Sequence, residues 1–143
     1  MKLSKRTEYA VRALVHLGRL DPNSYVQARD IARLESLPSK FLESVMLTLK
    51  KLNLAQSKVG SGGGYRLKKP ASELFLGEII RLLEDETPTP VLHEGPPGGV
   101  ALEIIRGVVD AAHSSTLDTL SLEKLIEDVQ KQQGHTKNEM YFI

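Results

Sequence analysis

Residues 57–67 read SKVGSGGGYRL, with Gly60, Gly62, Gly63 and Gly64 set around Ser61, Lys58 on one side and Tyr65 and Arg66 on the other. A glycine run loses much backbone entropy on ordering, so it needs a reason. Three uses compete: a nucleotide-phosphate cradle, a slack linker, and a hairpin tip that lets backbone approach another molecule. A P-loop requires GxxxxGK followed by Ser or Thr, and nothing after Gly60 supplies that lysine and hydroxyl. A dinucleotide fingerprint opens a helix after a strand, whereas GSGGGYRL leads into a second strand-like run. The hairpin is favoured over the linker, because the run spans only five residues and LAQSKV and YRLKK flank it as two short arms. Glycines there permit close approach to a sugar-phosphate surface, while Lys58 and Arg66 supply positive charge.

Other reactive groups are thinly spread. The chain has no cysteine, which removes disulfides and thiolate ligands. His16, His93, His113 and His135 are scattered without HxxxH or HExxH spacing, so no metal site is expected. His93-Glu94 is the one suggestive pair, and it reads as a solvent-exposed loop histidine sooner than as a proton or metal site. Glu8, Arg12 and His16 recur every four residues, which suits an ion-pair ladder along a helix more than a ligand set. These residues do not describe an enzyme.

The elements that must position the glycine hairpin are legible from hydrophobic spacing. LSKRTEYAVRALVHLGRL (3–20) reads as a helix capped by Ser4 or Thr7 and ended by Gly18 and DPNS. A short helix follows within YVQARDIARLESL (25–37), then a turn at Leu37-Pro38-Ser39. SKFLESVMLTLKKLNL (39–54) is a strong helix with Ser39 as expected N-cap. Phe41, Leu42, Val45, Met46, Leu49 and Leu52 share one face, and Lys40, Glu43, Ser44, Leu47, Thr48, Lys50 and Lys51 lie mostly on the other. Two helices joined by a tight turn and followed by a β-hairpin form a winged helix-turn-helix, whose second helix enters the major groove.

Beyond it, ASELFLGEIIRLLEDE (71–86) is amphipathic, and residues 87–99 are a Pro/Gly loop. VALEIIRGVVDAAHSSTL (100–117) is apolar around most of its girth, with Val100, Ile104, Val108 and Ala111 on one side and Leu102, Ile105, Val109 and Ala112 beside them. Such a helix packs on its own chain and on a partner, so a homodimer is expected through Val100, Ile104, Ile105, Val108, Val109 and Ala112. The expected fold class is mainly α: a winged helix-turn-helix with a two-stranded β wing, plus a long C-terminal dimerisation helix. The expected division is a DNA-binding domain at 1–86, the loop at 87–99, the dimerisation helix and a short closing helix at 100–130, and a tail at 131–143.

Charge separates the two halves. Residues 1–70 carry 14 Lys and Arg against 5 Asp and Glu, a balance of +9, while residues 71–143 carry 5 against 13, a balance of −8. A polyanion is the natural partner of the first half. No run nears the roughly 18 apolar residues of a spanning helix, and no apolar h-region follows the basic N-terminus, so no membrane contact or signal peptide is expected. Together with the missing cysteines this points to a cytoplasmic protein.

In this order, LSKRTEYAVRALVHLG, SKFLESVMLTLKKLNL, GSGGGYRL and LGEIIRLLE resemble the Rrf-two family (Rrf2-type) of bacterial winged-helix transcriptional regulators, strongly over residues 1–86 and more weakly beyond. The resemblance implies a homodimer on double-stranded DNA at an imperfect palindrome, and the expected regulator is a repressor. It implies DNA contacts from Lys5 and Tyr9 on the first helix and from Ser39, Lys40, Glu43 and Ser44 on the recognition helix. Lys50 and Lys58 would add phosphate contacts, and Gly60, Ser61, Gly62, Gly63, Gly64 and Tyr65 would form the wing. Glu43 could accept from a cytosine amino group. Two departures stand out. Val59 occupies a place where many members carry arginine, and the loop TPTPVLHEGPPGG lacks the three cysteines of cluster-binding members. A Cys-ligated iron–sulfur cluster is therefore excluded and no cofactor is expected. A regulatory protein or small-molecule effector takes the sensing role, if there is one. The alternative reading is a protein-interaction module with DNA binding secondary.

Overall fold

The computed structural model describes residues 2–85 and 94–141. Helix α1 spans Lys5–Gly18, α2 Ala28–Glu35 and α3 Ser39–Lys51; strands β1 (Ala55–Lys58) and β2 (Gly64–Leu67) follow, then a short 3-10 turn and α4 (Leu76–Glu84), α5 (Pro97–Leu117) and α6 (Leu122–Tyr141). The winged helix-turn-helix is present, and α5 is the long helix foreseen after the loop.

Ser4 caps α1, its Oγ accepting from the Thr7 N–H at 3.2 Å, and Thr7, Ala10, Ala13, Leu14 and Leu17 form the buried stripe. Onto it pack Ala28, Ile31 and Ala32 of α2 and Leu42, Val45, Met46 and Leu49 of α3. Between α2 and α3, Ser36 takes a left-handed conformation at φ 54° and the Leu37 N–H returns to the Ala32 carbonyl at 2.8 Å. That closes the turn tightly enough to set α3 across the core. Polar contacts fasten the same corner: His16 Nε2 lies 2.5 Å from Glu35 Oε1 and Arg12 3.7 Å from Glu35 Oε2. The expected ladder along α1 is thus a clamp between α1 and α2, with Glu8 pairing back to Lys5 at 3.4 Å.

Some local expectations change. Pro38, not Ser39, is the N-cap of α3, and it gives no side-chain cap bond; the X-Pro geometry fixes the entry, so Ser39 becomes the first helical residue. Phe41 is 41% exposed, and its ring meets Tyr9 edge-on at 5.0 Å. It sits at the border of the apolar stripe and not within it. Helix α5 begins at Pro97, inside the expected Pro/Gly loop, because proline is well suited to a first helical turn. His93 lies outside the described residues, and Glu94 is exposed.

The closing helix α6 is longer than foreseen and continues through residues expected as a separate tail. QKQQ offers good helix formers with no proline, so nothing stops the turn pattern at residue 130. Its first half joins the main core: Leu122 is fully buried and Ile126 is 7% exposed. Ile126 lies so close to Gly18 that a β-carbon there could not be accommodated without a shift. The Leu76 N–H donates to the Leu120 carbonyl at 2.9 Å and the Leu122 N–H to the Leu74 carbonyl at 2.7 Å. Arg81 meets Asp118 at 2.9 Å. The turn between α5 and α6 is thereby clasped to the start of α4.

Two outcomes follow for stability. Leu122→Ala should cost about 2–5 kcal/mol in denaturant unfolding, since a fully buried leucine leaves a cavity; a cost under about 0.5 kcal/mol would show that α6 does not share the core. Near the N-terminus, the Thr7 hydroxyl and the Ser4 N–H (2.8 Å) hydrogen-bond Glu84 and hold its carboxyl below the ordinary glutamate value. A depressed folded pKa contributes stability above the unfolded value that disappears as pH falls through the folded one. Glu84→Gln should therefore lower the melting temperature at neutral pH, with the difference from wild type closing as pH drops below the carboxylate range. A difference that stays constant with pH would contradict this.

Candidate nucleic-acid interface

The wing is built by strict register: Ala55 faces Leu67, Gln56 Arg66, Ser57 Tyr65 and Lys58 Gly64. A further bridge ties it to the loop before α2. The Val26 N–H donates to the Tyr65 carbonyl at 3.0 Å and the Tyr65 N–H to the Val26 carbonyl at 2.7 Å. Gly64 makes this approach available, for it sits at φ +138° and a β-carbon there would collide with the Val26 carbonyl. Gly63 is pressed against the Lys58 carbonyl in the same way. Gly60 and Gly62 have nothing within 4 Å, and Ser61 is exposed beside them. The glycines thus divide: the inner pair closes the hairpin and the outer pair forms the open tip.

Tyr25 braces the wing from the loop side. The Arg66 guanidinium lies over its ring at 4.7 Å, Lys58 Nζ reaches it at 5.8 Å, and Arg66 also donates to the Pro22 carbonyl at 3.1 Å. Arg66, expected as free positive charge, is anchored within the chain. Lys58 remains exposed, and Val59 at the tip is 96% exposed.

Helix α3 presents Ser39, Lys40, Glu43, Ser44, Leu47, Lys50 and Lys51 to solvent, opposite the buried stripe. Between α3 and the wing runs an open groove of about 410 Å³. Glu43 lines one wall, Lys58, Gly60 and Tyr65 the other, and Gln27 and Arg29 at the start of α2 close the end. Gln27 gives α2 no side-chain cap, so this helix start faces the groove without a side-chain acceptor of its own. Gln27 and Arg29 escaped the sequence reading. Arg29 follows the Val26 bridge by three residues, but only the wing's return to Val26 makes that placement visible.

The other predicted residues lie outside the groove. Lys5 is exposed and paired with Glu8; Tyr9 is half-buried, packed on Phe41, with the Arg12 guanidinium 6.0 Å from its ring centre. The Tyr9–Phe41 contact supports the start of α3. On α5 no residue is buried. Its half-covered positions are Val100, Glu103, Gly107, His113, Ser114 and Leu117. Ile104 is 51%, Ile105 57%, Val108 65% and Val109 44% exposed, and Ala112 is exposed with them.

No group of three or more His, Cys, Asp or Glu side chains able to hold a metal ion occurs among the described residues. With no cysteine anywhere in the chain, the donor set does not fit a thiolate-bound iron–sulfur cluster. No helix among the described residues is long and apolar enough to cross a membrane.

A family model described as Rrf2, iron-dependent transcriptional regulator, matches residues 3–128. The chain is 31% identical over 140 residues to the HTH-type transcriptional regulator NsrR of Bacillus licheniformis, covering 96% of this chain and 97% of that one. A putative HTH-type transcriptional regulator of Mycobacterium tuberculosis is 32% identical over 84 residues, and the chain spans about half of it, 52%. Among solved structures, CymR, the global cysteine regulator of B. subtilis, superposes with a TM-score of 0.75 at 28% identity, covering 89% of this chain and 97% of that one. T. potens IscR gives 0.73 at 25% identity, covering 93% and 91%. The chain belongs to the Rrf2 family of transcriptional regulators.

Proposed function

We propose that the protein is a repressor that binds a palindromic operator as a homodimer, without a Cys-ligated cluster. The observation that carries this is the exposed face of α3 opening onto the groove below the wing. Ser39, Lys40, Glu43 and Ser44 occupy the helix start, which in helix-turn-helix proteins meets base edges. Glu43 suits a cytosine amino group, and the lysines suit phosphates. Lys58, Arg29 and the open start of α2 surround a groove with the charge and backbone donors that a phosphate strand needs. Gly60, Ser61 and Gly62 allow close approach at the wing tip, while Gly63, Gly64 and Tyr65 hold its shape. Lys5, Tyr9 and Lys50 flank this surface. Val59 in place of an arginine leaves the wing positioning the protein more than reading a narrow minor groove.

The dimer is supported by α5. Leu102, Ile104, Ile105, Val108 and Val109 are exposed on it, the reverse of a surface helix, and a second copy would cover them. A two-fold pair of recognition helices calls for two half-sites in inverted repeat. A regulator with DNA as partner works in the cytoplasm, and a small molecule or partner protein would supply the signal. The competing interaction-module reading assigns the α5 face to a different protein.

Selection from random duplex DNA tests the reading: an enriched inverted repeat is expected, and binding no better than to random duplex at physiological salt would refute it. On that site Glu43→Ala should relax preference at one base per half-site, whereas Lys58→Ala should weaken all duplexes and reduce the log–log salt slope by about 1 per subunit. Sedimentation of Ile105→Asp/Val108→Asp should give a folded monomer where wild type gives a dimer. A wild-type monomer that sediments as such at micromolar concentration would assign the α5 face to another partner.

A further inference from the structure

Leu47 is 59% exposed on α3 and stands opposite the buried stripe of Leu42, Val45, Met46 and Leu49. Every close neighbour on that face is polar: Glu43 and Ser44 one turn before it, Lys50 and Lys51 one turn after. Thr48, the adjacent residue, directs its hydroxyl to the Ser44 carbonyl at 3.2 Å and so uses its donor within the helix. Leu47 is therefore the apolar side chain at the centre of this face. Packing within the chain gains little from it there.

Resting on the DNA-binding reading above, we infer that Leu47 is a specificity-determining residue whose side chain packs on the 5-methyl group of a thymine in the major groove. That methyl is the one apolar feature a base pair shows on that side. Lysines on either side hold the helix against the phosphates and bring the leucine to the groove floor. Leu47 lies four residues beyond Glu43, about 6 Å along the helix axis. Successive bases on one strand are about 3.4 Å apart. The thymine therefore sits within about two base pairs of the base that Glu43 meets.

The test replaces each thymine of the selected operator in turn by deoxyuridine, which removes the methyl and keeps the hydrogen-bonding edge. One position per half-site should lose about fourfold in affinity, the worth of one methyl withdrawn from an apolar contact. Leu47→Ala should bind thymine and uracil sites alike, and Leu47→Met should restore the difference. Unchanged thermal unfolding of both variants is expected from the exposure of the site. If the operator is bound specifically but no thymine is methyl-sensitive, or if the sensitivity survives in Leu47→Ala, the inference is overturned and the DNA-binding reading stands. If no sequence is enriched at all, that reading fails and this inference falls with it.

Discussion

The Val26 and Tyr65 backbones exchange two hydrogen bonds, at 3.0 and 2.7 Å, and the candidate interface depends on this pair. A two-stranded hairpin alone is marginal in water. Here the third segment fixes it to the entrance of α2, and α2 is itself fixed to α1 through Glu35, His16 and Arg12. The wing, the start of α2 and the start of α3 then move as one body. Gly64 is the sequence condition for this, because any side chain there would hold Val26 away. The ring of Tyr25 under Arg66 reinforces the same joint from outside.

The second half of the chain divides its labour within a few residues. Leu122 and Ile126 complete the core of the winged helix, whereas α5 contributes no buried residue. The clasp between Leu74, Leu76, Leu120 and Leu122 holds the lower end of α5 to the domain and leaves its apolar side outward. On the dimer reading, each α5 relays the position of one recognition helix to the other through that clasp.

Regular periodicity made most of the fold legible. The stripes of α1, α3 and α4 follow helical spacing, and the glycine run between two short polar-apolar arms announced the wing. The basic first half pointed to a polyanion. What stayed hidden depends on contacts between distant residues. No local signal shows that Gln27 and Arg29 reach the groove, because Val26 pairs with Tyr65 across 39 positions of chain. Arg66 looked like free charge because its partners Pro22 and Tyr25 are more than 40 residues away. The length of α6 was missed because a polar amphipathic run without a stop signal resembles a tail as closely as a helix.

On the DNA-binding reading, one continuous surface, from α3 across the groove to the wing, takes duplex DNA while α5 faces a second copy. Hydrogen exchange of the free protein and of its complex with a selected operator tests both parts at once. New protection is expected at residues 27–29, 39–51 and 57–65 on adding DNA, with α5 already slow in the free protein and unchanged in the complex. Protection confined to α5 and α6, with α3 and the wing unaffected, would contradict it.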